Sequence, residues 1–481
     1  MRMACPAKDG NQGKFITCPQ QAVNAPNYAA SGLEPYQRPK RAILSLCLIA
    51  RDEEEDLPRC LQSVQGLVDE IILLDTGSQD STPRIAQELG ARVFSSPWAG
   101  NFSQARNEAI SHATGDWILI LDADEEIPGS SKDEIRKLLS NKAAEGYLFR
   151  VVNFLGCRPS INHEVTLSLR LFRKRPEYQY QGVVHEQIVS SIVAARSQSA
   201  ILMTDIEIYH YGYLNPSYEK KNKAARNLTL LRQALSQDPQ NPYLLYNLGV
   251  SLYQQGAHEE ARATLEAAIE GACPDLAYLP RAYKVLVLSL KALQQFGVAL
   301  KVADKAINLY RDYTDLYFLR GSILAQMGNF RQAIADFEQC LALGPAPPRY
   351  DGHAALGGYY AHYRLGRLYE ELSEPQKALS HYRRTLEQEP EFPPALLGAL
   401  RVLEQSDEGM TPLAWLYKAR LFALRGEASK AEDAYLLAAA HPKASPESYL
   451  ELAQFYLRQS ETIRTGGNND GETTTLTLHD C

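Results

Sequence analysis

Residues Trp117–Glu126 read WILILDADEE. The five apolar residues Trp117, Ile118, Leu119, Ile120 and Leu121 make a run too short for a helix and right for a buried strand. It stops at Asp122, Asp124, Glu125 and Glu126. Four carboxylates at the C-terminal tip of a buried strand are costly unless they face a cleft or a cation, and ligands of α/β sheets bind beyond the carboxyl ends of the strands. Asp122 and Asp124, two residues apart, point the same way from an extended chain. Hard oxygen donors of this kind suit Mg²⁺ or Mn²⁺, especially when a substrate diphosphate completes the shell. The plainer alternative is a solvated turn that opens the next helix, with Ser130 and Ser131 as caps.

The stretches before this one share its grammar. Ala42–Ala50 (AILSLCLIA) and Glu70–Leu74 (EIILL, ending at Asp75) read as buried strands, and Ala91–Ser95 as a third, short one. Helical patterns separate them: one through Leu61 and Val64, one capped by Thr82 with Pro83 at its first position and stopped by Gly90, and one over Ala105–Ala113. Strand and helix in alternation indicate a parallel sheet with crossovers. After the acids, Tyr147–Phe154, Glu164–Phe172, Tyr180–Val189 and Ala200–Tyr211 read as mixed or antiparallel strands that finish the sheet and wall a cleft.

From about Pro216 onward the pattern is helical. Ala261, Ala299, Ala333, Ala378 and Ala431 recur at spacings of 38, 34, 45 and 53 residues. Around them stand related texts such as RGSILAQMGNFRQAIADFEQCLALGP and LGRLYEELSEPQKALSHYRRTLEQEP. These resemble tetratricopeptide repeats, with Gly249, Gly321 and Gly366 in the slot where two helices pack closely. The two long spacings predict loops or an inserted helix within Leu343–Gly358 and Phe392–Thr411. Five units would form a superhelix with a concave groove, which serves equally well to bind a peptide or protein or to form a dimer.

Length and composition bound the rest. A chain of 481 residues with 45% apolar content implies two domains or more, and a net charge of −7 argues against a nucleic-acid surface. The eight cysteines lack CxxC pairs, which suits a reducing cytoplasm. No long apolar span or secretory leader is apparent. The expected division is a disordered segment over 1–40, an α/β domain over 41–215, a helical repeat domain over 216–459 and a disordered tail over 460–481.

LSLCLIARDEEEDLPRCLQSV, EIILLDTGSQDST and FSQARNEAISHATGDWILILDADE, in that order, resemble the family 2 glycosyltransferases of GT-A fold over roughly residues 42–213. Joined to tetratricopeptide repeats, the chain is most similar to bacterial family 2 enzymes of that two-part build, among them relatives of the S-glycosyltransferases that act on bacteriocin peptides. The resemblance implies an inverting, metal-dependent transferase that takes its sugar from a nucleotide-diphosphate donor such as a UDP-sugar. It implies that Ala50, Arg51 and Glu53 touch the nucleotide, with Asp52 where the family usually has Asn. Asp75 would accept from the uracil N3–H, Arg106 would lie along the nucleotide, and Asp122 and Asp124 would form the DxD motif at the ribose or diphosphate and the Mn²⁺ or Mg²⁺ ion. In Tyr178–Ile188 (YQYQGVVHEQI) the base falls on Glu186, with His185 orienting it or touching the diphosphate; the family more often has a Glu-Asp pair here. His210 could reach the metal or diphosphate.

Each residue also has a structural reading. Asp75 could start a turn with Gly77, Arg106 could pair with Glu108 or Asp116, His185-Glu186 could close a hairpin, and His210 could simply be packed. The acceptor would be a peptide, a protein or a glycan. Rival functions are a lipid- or oligosaccharide-directed sugar transferase and a repeat scaffold whose transferase domain has decayed. Nucleotidyl transfer would want a Gly-rich, Lys-bearing loop where Arg51–Asp56 stands.

Overall fold

The computed structural model describes residues 42–154, 163–212, 223–274, 276–405 and 410–464. The expected N-terminal segment, residues 465–481 of the tail and the boundary at 215/216 lie outside them.

The parallel half of the sheet follows the apolar runs. Strand β1 (Leu44–Ala50) lies between β2 (Glu70–Asp75) and β4 (Trp117–Ile120), so Cys47 has Ile72 on one side and Ile120 on the other. β3 (Arg92–Ser95) pairs outside β2. The crossovers are helices α1 (Leu57–Ser63), α2 (Thr82–Glu88) and α3 (Phe102–Ser111). Thr82 does not cap α2 with its side chain. Its hydroxyl accepts from the Glu53 amide at 2.8 Å and so ties the loop after β1 to α2. Gly115 brings the chain back into β4 against Ser45 and the Ile43 carbonyl, with no room for a side chain. Trp117 and Leu119 are fully buried in the core that β1 shares with α1.

Beyond the acids, β5 (Glu125–Glu126) is a two-residue strand, followed by α4 (Lys132–Leu138), β6 (Gly146–Phe154), β7 (His163–Arg173), α5 (Val189–Ala195) and β8 (Ile201–His210). The strand order is β3-β2-β1-β4-β7-β6-β8-β5, with β7 antiparallel to both β4 and β6. The acids are therefore not a solvated turn, and neither Ser130 nor Ser131 forms a side-chain cap. The strand expected over Tyr180–Val189 is absent. Positive φ at Gly182 (101°) and His185 (53°) breaks the extended backbone, leaving one bridge between Gln181 and Gln187, and α5 begins at Val189.

The second half opens with α6 (Lys223–Gln237). Four antiparallel pairs follow: α7 (Pro242–Gln254) with α8 (His258–Ile269), α9 (Leu279–Ala292) with α10 (Phe296–Leu309), α11 (Thr314–Gln326) with α12 (Phe330–Leu343), and α13 (Tyr359–Glu371) with α14 (Pro375–Gln388). A single helix α15 (Pro393–Glu404) occupies the second long spacing, before the pair α16 (Pro412–Leu424) and α17 (Ala428–Ala440). A closing helix, α18 (Pro446–Arg464), runs five residues into the expected tail. The recurring alanines are fully buried on the second helix of each pair. The glycines of the first helices meet large residues: a methyl on Gly249 would lie 2.5 Å from Leu265 Cγ, and one on Gly366 2.7 Å from the Tyr382 ring.

The first long spacing holds β9 (Gly352–His353), which pairs antiparallel with Val165 and Glu164 of β7. The repeat half thus adds a strand to the sheet. Beside it, buried Lys284 on α9 donates to Asp315 Oδ2 (3.0 Å), to the Asp351 carbonyl (2.6 Å) and to Glu164 Oε1 (3.4 Å). Burial opposes charge on this ammonium, but Asp315 and Glu164 outweigh it and hold its pKa well above the usual lysine range.

Close packing at the glycine slots gives a direct test. Gly366→Val should lower unfolding stability by about 1–3 kcal/mol in denaturant titration, since the added methyls have no space against Tyr382. Gly297→Ala, at a helical position with nothing within 4 Å, should be neutral or mildly stabilising.

Candidate active site

One cleft of about 660 Å³ lies beyond the carboxyl ends of the parallel strands. The acids of the opening stretch form its floor, and the way they are balanced sets its chemistry. Arg106, on α3 and buried, donates through Nη2 to Asp122 Oδ1 at 2.7 Å and through Nε to Glu186 Oε1. Arg170, on β7, donates to Glu125 Oε1 at 2.6 Å and stands 3.9 Å from Asp122. Burial would raise the Asp122 pKa, but the two guanidiniums prevail and bring it down to about 2. Burial does prevail at Glu125, whose pKa is raised despite Arg170.

Asp124 takes a different partner. β5 pairs with β8 so that Glu125 lies opposite His210, which sets His210 Nε2 3.5 Å from Asp124 Oδ1. His210 Nδ1 lies 2.7 Å from Asn153 Oδ1. The Asn153 amide nitrogen contacts the Val151 and Glu164 carbonyls and Thr166 Oγ1 at 3.3–3.4 Å, so its oxygen is the end left to accept from Nδ1–H. In neutral His210 that arrangement leaves the lone pair on Nε2, turned towards Asp124. Gly212 completes a cradle: a Cβ there would lie against Asp124 Oδ2 and 2.7 Å from His210 Nε2. One carboxylate and one oriented imidazole fit a Mn²⁺ or Mg²⁺ ion whose remaining ligands come from a diphosphate and water. Among the described residues there is no cluster of three or more acidic, His or Cys ligands. Asp122, expected at the ribose, the diphosphate or the metal, faces Arg106 and Arg170.

The other residues singled out in the sequence fall as follows. Ala50, Arg51, Glu53, Arg106, Asp122, Asp124, His185, Glu186 and His210 all line the cleft. Asp75 is buried at the end of β2, where its carboxylate accepts from the Gly77 and Ser78 amides, and its neighbour Thr76 lines the cleft instead. Arg106 pairs with Asp122 and Glu186, not with Glu108 or Asp116. His185 lines the cleft with its side chain exposed, and its carbonyl accepts from the Tyr243 hydroxyl of α7 at 3.1 Å.

Several cleft residues escaped sequence reasoning. Arg170 opens the basic run Arg170–Arg175, which by itself assigns it no role, and Asn153 stands near the end of a strand with no motif around it. Tyr243, Tyr246, Asn247, Arg281 and Asp351 come from the repeat half, far away in the chain. Gly212, in YHYGYL, had a signal, a glycine two residues after a candidate histidine.

The model of glycosyl transferase family 2 matches residues 45–200, and tetratricopeptide repeat models match 216–277, 314–347 and 361–394. A TPR repeat-containing protein of Synechococcus elongatus is 36% identical over 310 residues, which cover 61% of this chain and 75% of that protein. The chain belongs to the family 2 glycosyltransferases that carry tetratricopeptide repeats. This transferase is also similar to the SPbeta prophage-derived glycosyltransferase SunS of Bacillus subtilis, 29% identical over 237 residues, 49% of this chain and 55% of that protein. Among solved structures, the C-terminal part of a TPR repeat-containing protein from Cytophaga hutchinsonii aligns with 51% of the transferase and 87% of its own chain, at 19% identity and a TM-score of 0.36. No helix among the described residues is long and apolar enough to cross a membrane.

The Asp122 shift has a pH signature. Its depressed pKa gives stability that is complete above the ordinary aspartate range and is lost as pH falls towards about 2. Acid titration of the ligand-free chain should therefore show Asp122→Asn losing stability less steeply than the parent between pH 4 and 2. Parallel slopes would show that the Arg106 and Arg170 contacts do not hold the carboxylate.

Proposed function

We propose that the chain moves a sugar from a UDP-sugar to a peptide or protein acceptor, with inversion at the anomeric carbon and with Mn²⁺ or Mg²⁺ held by Asp124 and His210. One observation carries the reading. A single cleft joins the acids of the DxD stretch, Arg106 and Glu186 to side chains from the repeat half, so donor and acceptor determinants share one space.

In this reading Ala50, Arg51 and Glu53 receive the nucleotide at the end of β1, with Thr76 beside them, and Asp75 shapes that wall from behind by holding the turn at Gly77 and Ser78. Asn153 keeps the His210 ring turned towards Asp124. Bound there, a divalent ion supplies Lewis-acid stabilisation for the charge that grows on the leaving diphosphate. Arg106 and Arg170 neutralise Asp122, so anionic phosphates do not meet an uncompensated carboxylate. Glu186 takes the proton from the acceptor nucleophile. His185, held at positive φ by its backbone contact with Tyr243, positions it.

Two measurements test this. UDP at a hundredfold its dissociation constant should add about 2.7 kcal/mol of stability. That gain should need Mn²⁺, vanish in EDTA and be largely absent from Asp124→Ala; equal gains in all three would remove the metal assignment. Glu186→Gln should cut turnover by roughly 10²–10⁴ while UDP-sugar affinity stays close to that of the parent. Near-normal turnover on a hydroxyl acceptor would move the search for the base to Glu164, since Asp205, the other carboxylate considered, is exposed outside the cleft.

A further inference from the structure

The edge of β7 that faces β4 is paired at both ends and unpaired in the middle. Leu171, Phe172 and Arg173 lie opposite Leu119, Ile118 and Trp117 of β4, and Glu164 and Val165 lie opposite His353 and Gly352 of β9. Between them, no strand among the described residues pairs with Thr166–Arg170 on that side. These same five residues line the cleft, and most are only half-buried. At one end Arg170 contacts Glu125 and Asp122. At the other, Glu164 meets Lys284 of the repeat half.

We infer that this open edge receives the acceptor as an added strand, an extended peptide segment of about five residues bound main chain to main chain between β4 and β9. The inference rests on the transferase reading above and specifies how that acceptor is held. An unpaired sheet edge presents alternating N–H and C=O groups, a template that another polypeptide backbone matches and a glycan or lipid does not. The fold already uses this edge in that way, since β9 is a short strand from outside the parallel core that docks on it antiparallel. A peptide continuing the line of β9 would cover about 17 Å at 3.4 Å per residue, enough to run from the repeats to the acids. Affinity from the main chain leaves side-chain choice to the cleft walls, where Tyr243, Tyr246 and Arg281 stand.

The test uses the full-length chain with Mn²⁺, a panel of UDP-sugars and a pooled library of nonapeptides bearing a central Ser, Thr or Cys. A peptide glycosylated from the pool is then remade with each backbone amide methylated in turn. Strand addition predicts a period of two. Methylation at every second position should raise KM by about tenfold or more, while the positions between change it little. The same peptide, without donor, should slow amide hydrogen exchange within residues 166–170. Efficient peptide transfer with no alternation and no protection would overturn the strand site and leave the transferase reading standing. Donor hydrolysis without transfer to any peptide would overturn the peptide acceptor itself, and the strand site with it.

Discussion

Everything at the cleft depends on one buried guanidinium. Asp122 ends the central strand and Glu186 sits on a loop eighty residues away by Arg106's count, yet both carboxylates converge on this side chain of α3. Removing one partner of a buried ion pair typically costs about 3–5 kcal/mol, because the other charge is left uncompensated. Arg106 thus joins three separate pieces of chain, the helix before β4, the tip of β4 and the loop before α5. Arg170 performs a second balancing act for Glu125. With both in place, the strand tip can carry four acidic residues without the sheet opening beneath them.

Such balancing also explains why Asp122 and Asp124, alike in the sequence, differ in use. β5 turns the chain onto β8 immediately after Asp124, so this residue meets His210 while Asp122 stays with the arginines. Two residues of strand pairing decide which acid meets the imidazole and which the guanidiniums. Asn153, through its hydrogen bond to His210, extends the arrangement to β6, and its amide contact with the Glu164 carbonyl carries it to the strand that meets the repeats.

Much of this was legible in the residues, and the failures have physical causes. The parallel strands were readable because burial on both faces demands unbroken apolar runs, as in Leu44–Ala50 and Trp117–Ile120. The repeats were readable because close helix packing demands Ala and Gly at fixed positions. Tyr180–Val189 misled, since its alternation suits a strand while two residues at positive φ forbid one. The Thr82 hydroxyl serves the Glu53 amide instead of a helix cap, a partnership nearly thirty residues apart that local reasoning cannot see. Nor could any local pattern announce β9, two residues with no strand propensity of note, because its partner lies in the other half of the chain.

That small strand has a consequence for how such chains diversify. Repeat arrays are commonly pictured as interchangeable attachments that can be swapped to redirect an enzyme. Here the array is stitched into the sheet: β9 borders the cleft, and Lys284 is buried against Glu164. Exchange of the helices alone would strip a strand from β7 and leave Glu164 without its ammonium. A transplant would have to carry the insertion between α12 and α13 together with α9, so retargeting by recombination is confined to the repeats beyond them. The inner repeats change only in step with the catalytic sheet, and the outer ones are free to drift.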